Sequence, residues 1–230
     1  ALGVKEVGMM TRINLSVEKG ETVHDQLYVE LRRALMSGKL KPGHSLSIRH
    51  LVDKYGISAT PARETIKRLQ AERALIIGQN RVPTVPYPTL EGIRDLRDVR
   101  MSLEGLATEK AAALIAPDGI DQLEVHYENM SSAISEGGNE AYLSSNWAFH
   151  RTIYKAAKSD MILDIIETLW MRAGPLVGTA LMAENHTEQT MGHHKRALMG
   201  LKMRDHVAAR AAVEADIGGA AADIMARLYP

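Results

Sequence analysis

Apolar side chains recur at intervals of three and four residues in two short segments of the first third of the chain. The segments span residues 47–55 and 58–73, and a glycine, Gly56, lies between them. The repeating apolar positions are Ile48, Leu51, Val52, Ile66 and Leu69. This spacing is typical of amphipathic helices, and a glycine between two of them favours a tight turn. The pattern therefore predicts a helix-turn-helix.

The flanking segments extend this unit. Residues 22–37 carry an apolar stripe and predict a preceding helix that ends near Gly38. Downstream, residues 75–77 and 82–85 read as two short strands around a polar turn at 78–81. Strands of this length joined by such a turn predict a wing.

The remainder of the chain shows a purely helical pattern. Six segments are expected, at 89–115, 118–136, 139–157, 160–182, 187–203 and 205–228. Pro117, the Gly137–Gly138 pair and Ser159–Asp160 supply stops and caps between several of them. The predicted fold is mainly α: an N-terminal winged helix-turn-helix followed by an all-α six-helix bundle.

The start of the second helix of the pair carries small and cationic side chains. Ser58 or Thr60 can cap this helix, and a proline at position 61 fits its first turn. Ala59, Ala62 and Arg63 are expected to face outward, with Lys67 one turn later. Such a helix suits insertion into a DNA major groove, although an ordinary surface hairpin has the same periodicity.

The order of residues around this pair resembles the GntR family of bacterial transcription regulators. The matching positions are Gly38, Leu40, Pro42, Gly43, Leu46, Leu51, Gly56, Ser58, Thr60, Pro61, Arg63, Glu64, Leu69 and Leu75. The resemblance implies a DNA-binding domain that acts as a dimer on two operator half-sites. It also implies that Arg49 and Arg63 contact DNA.

One position departs from that family pattern. Ala59 stands where the family carries an arginine between the serine and the threonine, so it cannot donate to guanine, although its methyl group could touch a thymine methyl. Ser58 and Thr60 are candidates for phosphate contacts at the helix N-terminus. Arg81, in the wing, is a candidate for a minor-groove or phosphate contact, with a solvated surface arginine as the alternative.

Charge divides the chain although its net charge is zero. Residues 1–86 carry 14 Lys and Arg against 8 Asp and Glu, and residues 87–230 carry 14 against 20. This asymmetry predicts a nucleic-acid-binding domain at 20–86 and a second domain at 87–230 that does not touch phosphates. The family resemblance implies that the second domain binds the effector and forms the dimer. Residues 1–19 show no clear pattern and are expected to be a flexible arm. The chain has no cysteines, so no disulfides are expected. It has no long apolar run, so we expect a cytoplasmic protein without a membrane partner.

Polar residues interrupt the apolar stripes of three predicted helices in residues 87–230, which we call the body. Asn146 and His150 lie one turn apart, while His194 and Asp216 occupy stripes on two later segments. Two imidazoles, an amide oxygen and a carboxylate can bind a divalent metal ion. The alternative is a hydrogen-bonded core cluster that contains no metal.

The body also resembles the FCD ligand-binding domain of the fatty-acid-regulator branch of this family, in its shorter VanR-like six-helix form. The resemblance is carried by Asn146-Trp147-Ala148-Phe149-His150, with Asn in place of Asp, and by His194-Lys195-Arg196-Ala197-Leu198. Asp216 falls where the family carries its third histidine. These matches imply a divalent metal ion such as Zn, Ni or Mn, bound by an altered ligand set.

Two arginines are expected to point into the bundle. Arg100 lies on the stripe of the first body helix and Arg172 on that of the fourth, where they could bind the carboxylate of an organic-acid effector. For Arg100 the alternative is an ion pair with Glu104. The function expected is a DNA-binding, non-enzymatic, homodimeric regulator that responds to a small carboxylate. A metal-free effector pocket and a helical metalloenzyme are the other readings.

Overall fold

The structure is a computed structural model that describes residues 22–78, 81–181 and 186–230. The predicted arm at 1–19 and two residues of the wing turn, Gln79 and Asn80, lie outside the described residues. The helices are α1 Val23–Met36, α2 Ile48–Tyr55, α3 Ala59–Ala71, α4 Leu90–Leu114, α5 Pro117–Ser135, α6 Asn139–Ala156, α7 Asp160–Ala180, α8 His186–Lys202 and α9 His206–Leu228. Two short strands, β1 Ile76–Ile77 and β2 Pro83–Thr84, pair antiparallel. The predicted fold class is confirmed.

The chain divides into two compact units. The first, which we call the head, comprises the described residues from Thr22 to Arg32 and within His44–Pro86. The second, which we call the helical unit, comprises Arg33–Gly43 and Tyr87–Pro230. The functional domain limits 20–86 and 87–230 stay a prediction, since compactness alone does not define what a segment does.

Local chemistry explains the bounds of the helix-turn-helix. Ser47 precedes α2 and accepts a hydrogen bond from the His50 backbone N–H at 3.1 Å, and Gly56 ends the helix at φ 65°. A left-handed residue at this point favours glycine, because a Cβ atom is strained there. α3 begins differently: Ser58 is its N-cap by position, but its hydroxyl makes no capping hydrogen bond within the described residues.

One orientation expected on α3 is wrong. The Ala62 side chain is fully buried and shares a face with Ile66 and Leu69 in the core of the head. Positions three and four residues apart lie on the same helix face, so Ala62 follows the apolar stripe inward. Arg63 is exposed as expected, and Thr60 is exposed as well.

In the helical unit, α4 packs on α9, α8 packs on α9, and α5 packs on α6. Thr89 caps α4 through a 3.0 Å hydrogen bond from Gly92, and Asp205 caps α9 through a 2.9 Å bond from Ala208. The core includes Phe149, Ile153, Ile166, Trp170 and Val213. α6, α8 and α9 therefore turn their buried faces, with the polar residues those faces carry, towards one interior.

None of the helices in the described part of the chain combines the length and the apolar character that crossing a bilayer requires.

Candidate functional site

Three of the predicted ligands meet in the interior of the helical unit. His150 of α6, His194 of α8 and Asp216 of α9 are all buried, and their side-chain atoms converge. The two histidine Nε2 atoms are 3.2 Å apart, and Asp216 Oδ2 lies 3.2 Å from His150 Nε2 and 4.0 Å from His194 Nε2. We call these three residues the triad.

The spacing of the triad fits a single ion. With these three separations, a point about 2.1 Å from all three atoms exists, and Zn²⁺ binds imidazole nitrogen and carboxylate oxygen at roughly 2.0–2.2 Å. A set of two nitrogens and one oxygen suits Zn, Ni or Mn, since imidazole is a common ligand of the first two and carboxylate of the third.

Two further polar side chains adjoin the triad. Asn146 is buried one turn before His150, and both line a cavity of about 20 Å³ that Asp216 also lines. The Thr190 hydroxyl donates to Asp216 Oδ1 at 3.2 Å and so orients the carboxylate. Thr190 was not among the predicted site residues, although its position four residues before His194 places both on one helix face.

A buried network determines which nitrogen of His150 carries the proton. Glu104 accepts hydrogen bonds from Arg100 at 2.6 and 3.2 Å, from the Trp170 indole N–H at 3.1 Å and from the Tyr154 hydroxyl. Since Tyr154 donates its proton to Glu104, its oxygen can only accept from His150 Nδ1, which lies 3.0 Å away. His150 Nδ1 therefore bears hydrogen.

The consequence is a bare nitrogen at the centre of the site. With its hydrogen on Nδ1, the His150 ring directs the lone pair of Nε2 towards Asp216 and His194. His194 can donate its own Nε2–H to that lone pair at 3.2 Å, but the Asp216 carboxylate oxygen 3.2 Å away has no hydrogen to donate, and a metal ion at this point would satisfy all three atoms. Ligating histidines commonly donate their second ring N–H in this way, which fixes their tautomer and orientation.

The protonation of the other two groups also favours metal binding. Burial lowers the pKa of His194 to about 4, so the ring is neutral near pH 7. Burial opposes ionisation of Asp216, but the neighbouring His194 and His150 imidazoles outweigh it and hold the pKa of the carboxyl well below its usual range. Neutral imidazole and ionised carboxylate are the forms that bind metals.

The two candidate effector arginines behave differently. Arg100 is buried, forms the ion pair with Glu104 that was the alternative, lies over the Trp170 ring and lines the cavity beside the triad. Arg172 is exposed, so its predicted inward orientation is wrong. The buried face of α7 instead includes Ile166, Trp170, Ala173 and Val177. Each of these lies one residue after a member of the predicted stripe, which was Ile165, Leu169, Arg172 and Leu176; of that stripe Leu176 is buried as well.

All but one of the candidate DNA-binding residues of the head are exposed to solvent. The exposed ones are Arg49, Ser58, Thr60, Arg63, Lys67 and Arg81, while Ala59 is half-buried. Arg49 lies 3.8 Å from Asp53, and Lys67 lies 2.8 Å from Glu64. Exposed ion pairs of this kind are weak, so they leave both cations available to phosphate or base edges.

The chain matches two family models. Residues 23–85 match the description "Bacterial regulatory proteins, gntR family", and residues 95–219 match the FCD domain. The second match covers more than half of the chain and contains Asn146, His150, His194 and Asp216.

Similar proteins agree with these matches. The HTH-type transcriptional regulator McbR of Escherichia coli K12 is 29% identical over 182 residues, which are 78% of this chain and 82% of McbR. The gluconate operon transcriptional repressor of Bacillus subtilis is 24% identical over 186 residues, 76% of this chain and 74% of that protein.

The solved structure of E. coli McbR/YncC superposes with a TM-score of 0.83 at 25% identity, covering 90% of this chain and 99% of that one. A GntR-type regulator from Rhodococcus sp. RHA1, with a TM-score of 0.73 at 18% identity, shares the fold over 88% of this chain and 97% of its own. The chain thus belongs to the GntR family of bacterial regulatory proteins, as a DNA-binding transcriptional regulator with an FCD domain.

Proposed function

We propose that this regulator senses a small carboxylate at a divalent metal ion, Zn, Ni or Mn, and that effector binding changes its affinity for operator DNA as a homodimer. His150, His194 and Asp216 would hold the metal ion, with Asn146 beside them. Arg100 would meet the effector carboxylate. The metal ion would supply a Lewis-acidic centre with open positions for carboxylate oxygen.

The observation that carries the proposal is the bare Nε2 of His150. A core cluster without metal can pair His150 Nε2 with the N–H of a neutral His194 ring 3.2 Å away, since the Glu104–Tyr154 network already uses the other His150 nitrogen as a donor. Asp216 Oδ2 would then still face that unprotonated nitrogen at 3.2 Å. A metal ion would bind both ring nitrogens and the carboxylate oxygen together.

The effector part of the proposal rests on the cavity beside the triad. Its described lining includes Arg100, Tyr142 and Asn146, and it holds about 20 Å³ of space next to Asp216. A buried guanidinium next to an open metal position favours an anionic group with two oxygens. The B. subtilis relative is named for a gluconate operon, and gluconate is a carboxylate.

Regulation requires only a modest coupling between the two ligands. A coupling free energy of about 1–3 kcal/mol changes operator affinity roughly 5- to 150-fold. One recognition helix reads a few base pairs, so a dimer on two half-sites gives the usual specificity of such heads.

Metal analysis of the purified protein tests the site. We expect about one divalent ion per chain in the wild type and none in His150→Ala or His194→Ala. His206→Ala is the matched control, because it removes an exposed histidine from the same unit. Unchanged metal content in the first two variants would reject the ligand set, and a metal-free wild type that still binds a carboxylate would favour the metal-free pocket.

A mobility-shift titration tests the regulatory step. Genomic fragments upstream of neighbouring genes are titrated with metal-loaded protein, with and without candidate carboxylates. We expect a salt-sensitive specific complex whose dissociation constant moves with one of them. Sedimentation analysis of the same sample should show a dimer.

A further inference from the structure

Two cavities of the helical unit share a wall. The polar cavity beside the triad and a second cavity of about 30 Å³ are both lined by Arg100, Val177, Ile217 and Ala220. The second cavity lies between α4, α7 and α9. The two cavities are therefore neighbours, separated by these four side chains.

The second cavity is apolar. Its remaining described lining is aliphatic apart from Arg97: Ile93, Leu96, Ala173, Leu176, Ala221 and Ile224. The two arginines at its edge carry N–H donors only, so neither can accept a hydrogen bond. None of the described side chains that line it is left to accept a hydrogen bond from a hydroxyl group, and burying a hydroxyl without a partner is unfavourable.

From this adjacency we propose that the effector is a short monocarboxylate with an unbranched apolar tail, rather than a polyhydroxy or multiply charged acid. The inference rests on the proposed function, since the carboxylate group is held at the triad and Arg100. The tail then extends past Val177 and Ala220 towards Leu96 and Ile224. Because the carboxylate occupies the polar cavity and the apolar cavity of about 30 Å³ has room for two or three water-sized groups, the tail has about two to three carbon atoms.

Isothermal titration of the metal-loaded protein with acetate, propionate, butyrate, valerate and gluconate tests the inference. We expect the dissociation constant to fall about four-fold per added methylene until the cavity is filled. The heat-capacity change should become more negative along the series, as apolar burial requires. Gluconate should bind more weakly than butyrate.

A variant with a filled cavity provides the structural check. Ala221→Leu places a larger side chain in the apolar wall, while Ala215→Leu makes the same change at an exposed position of α9. We expect Ala221→Leu to keep its metal ion and its acetate affinity but to lose the gain with chain length. Ala215→Leu should keep all three. If Ala221→Leu does not fold, the wild-type series alone decides.

The outcomes separate the two proposals. Equal affinity for acetate, propionate, butyrate and valerate, or tighter binding of gluconate than of butyrate, would overturn the inference of an apolar tail. Carboxylate sensing would remain in place. Absence of binding by every carboxylate to the metal-loaded protein would overturn both proposals.

Discussion

The head and the helical unit place their functional polar groups in opposite environments. In the head, the Arg49 side chain is 92% exposed and Lys67 has only a surface pair with Glu64. In the helical unit, His150 and His194 are 1% exposed, and Glu104 is fully buried beneath Arg100. One unit presents cations to water, and the other encloses its polar groups.

This difference determines what each unit can reveal about its ligand. Buried polar groups must be satisfied by protein or ligand, so an unsatisfied lone pair specifies what is missing. Exposed groups are satisfied by water and are compatible with many partners. Substitutions of the buried polar groups of the helical unit should therefore change stability and metal binding, whereas those of the exposed cations of the head should change DNA binding alone.

The largest expected effect tests whether the buried network is an energetic unit. Glu104→Gln leaves Arg100 buried without its counter-charge, and we expect the free energy of unfolding to fall by about 3–5 kcal/mol. Glu109→Ala is the control, because its pair with Arg210 is about 40% exposed and should contribute at most about 1 kcal/mol. Urea denaturation measures both, and equal losses would contradict the contrast between buried and exposed pairs.

The next effect tests the metal proposal through stability. Removing the ion with a chelator should lower the free energy of unfolding by about 3–4 kcal/mol relative to protein with metal at 100–1,000 times its dissociation constant. Thermal melts with and without chelator measure the change. His194→Ala should show no chelator effect, and a chelator effect of wild-type size in this variant would place the stabilising ion elsewhere.

A smaller effect tests the exposed surface. Arg63→Ala should weaken operator binding by about 1–3 kcal/mol, while the free energy of unfolding stays within about 0.5 kcal/mol of the wild type. Fluorescence anisotropy with the operator fragment measures the first quantity and urea denaturation the second. Arg94→Ala removes an exposed positive charge from the helical unit as the control. Equal losses of affinity in the two variants would mean that net charge, not the α3 contact, is responsible.

The smallest effect distinguishes the two serines that precede helices in the head. Ser47→Ala removes the cap of α2 and should cost about 1 kcal/mol of stability. Ser58→Ala removes no capping bond, so stability should be unchanged and operator affinity should fall if the hydroxyl holds a phosphate. A stability loss at Ser58 equal to that at Ser47 would show that it does cap α3.

The residues of the candidate site could be predicted where their position on the face of a single helix places them in the interior. The i, i+4 relation of Asn146 and His150 and the mid-stripe position of Asp216 were visible along the chain, and the structure brings these residues to one cavity. The same spacing relates Tyr154 to His150 and Thr190 to His194, so it could have pointed to both. The inward orientation predicted for Arg172 was wrong because adjacent stripes of an apolar helix have similar hydrophobicity, and only packing selects which stripe is buried.

The helices, the family and the polar residues of the candidate site could be predicted from the chain alone, because capping, periodicity and motif order are local properties. The packing of the helices was needed to place the proton on His150 Nδ1, through Glu104 and Tyr154, and to reveal an apolar cavity next to the polar one beside the triad. These relations join residues on different helices, so they depend on how the helices pack rather than on any pattern within one of them.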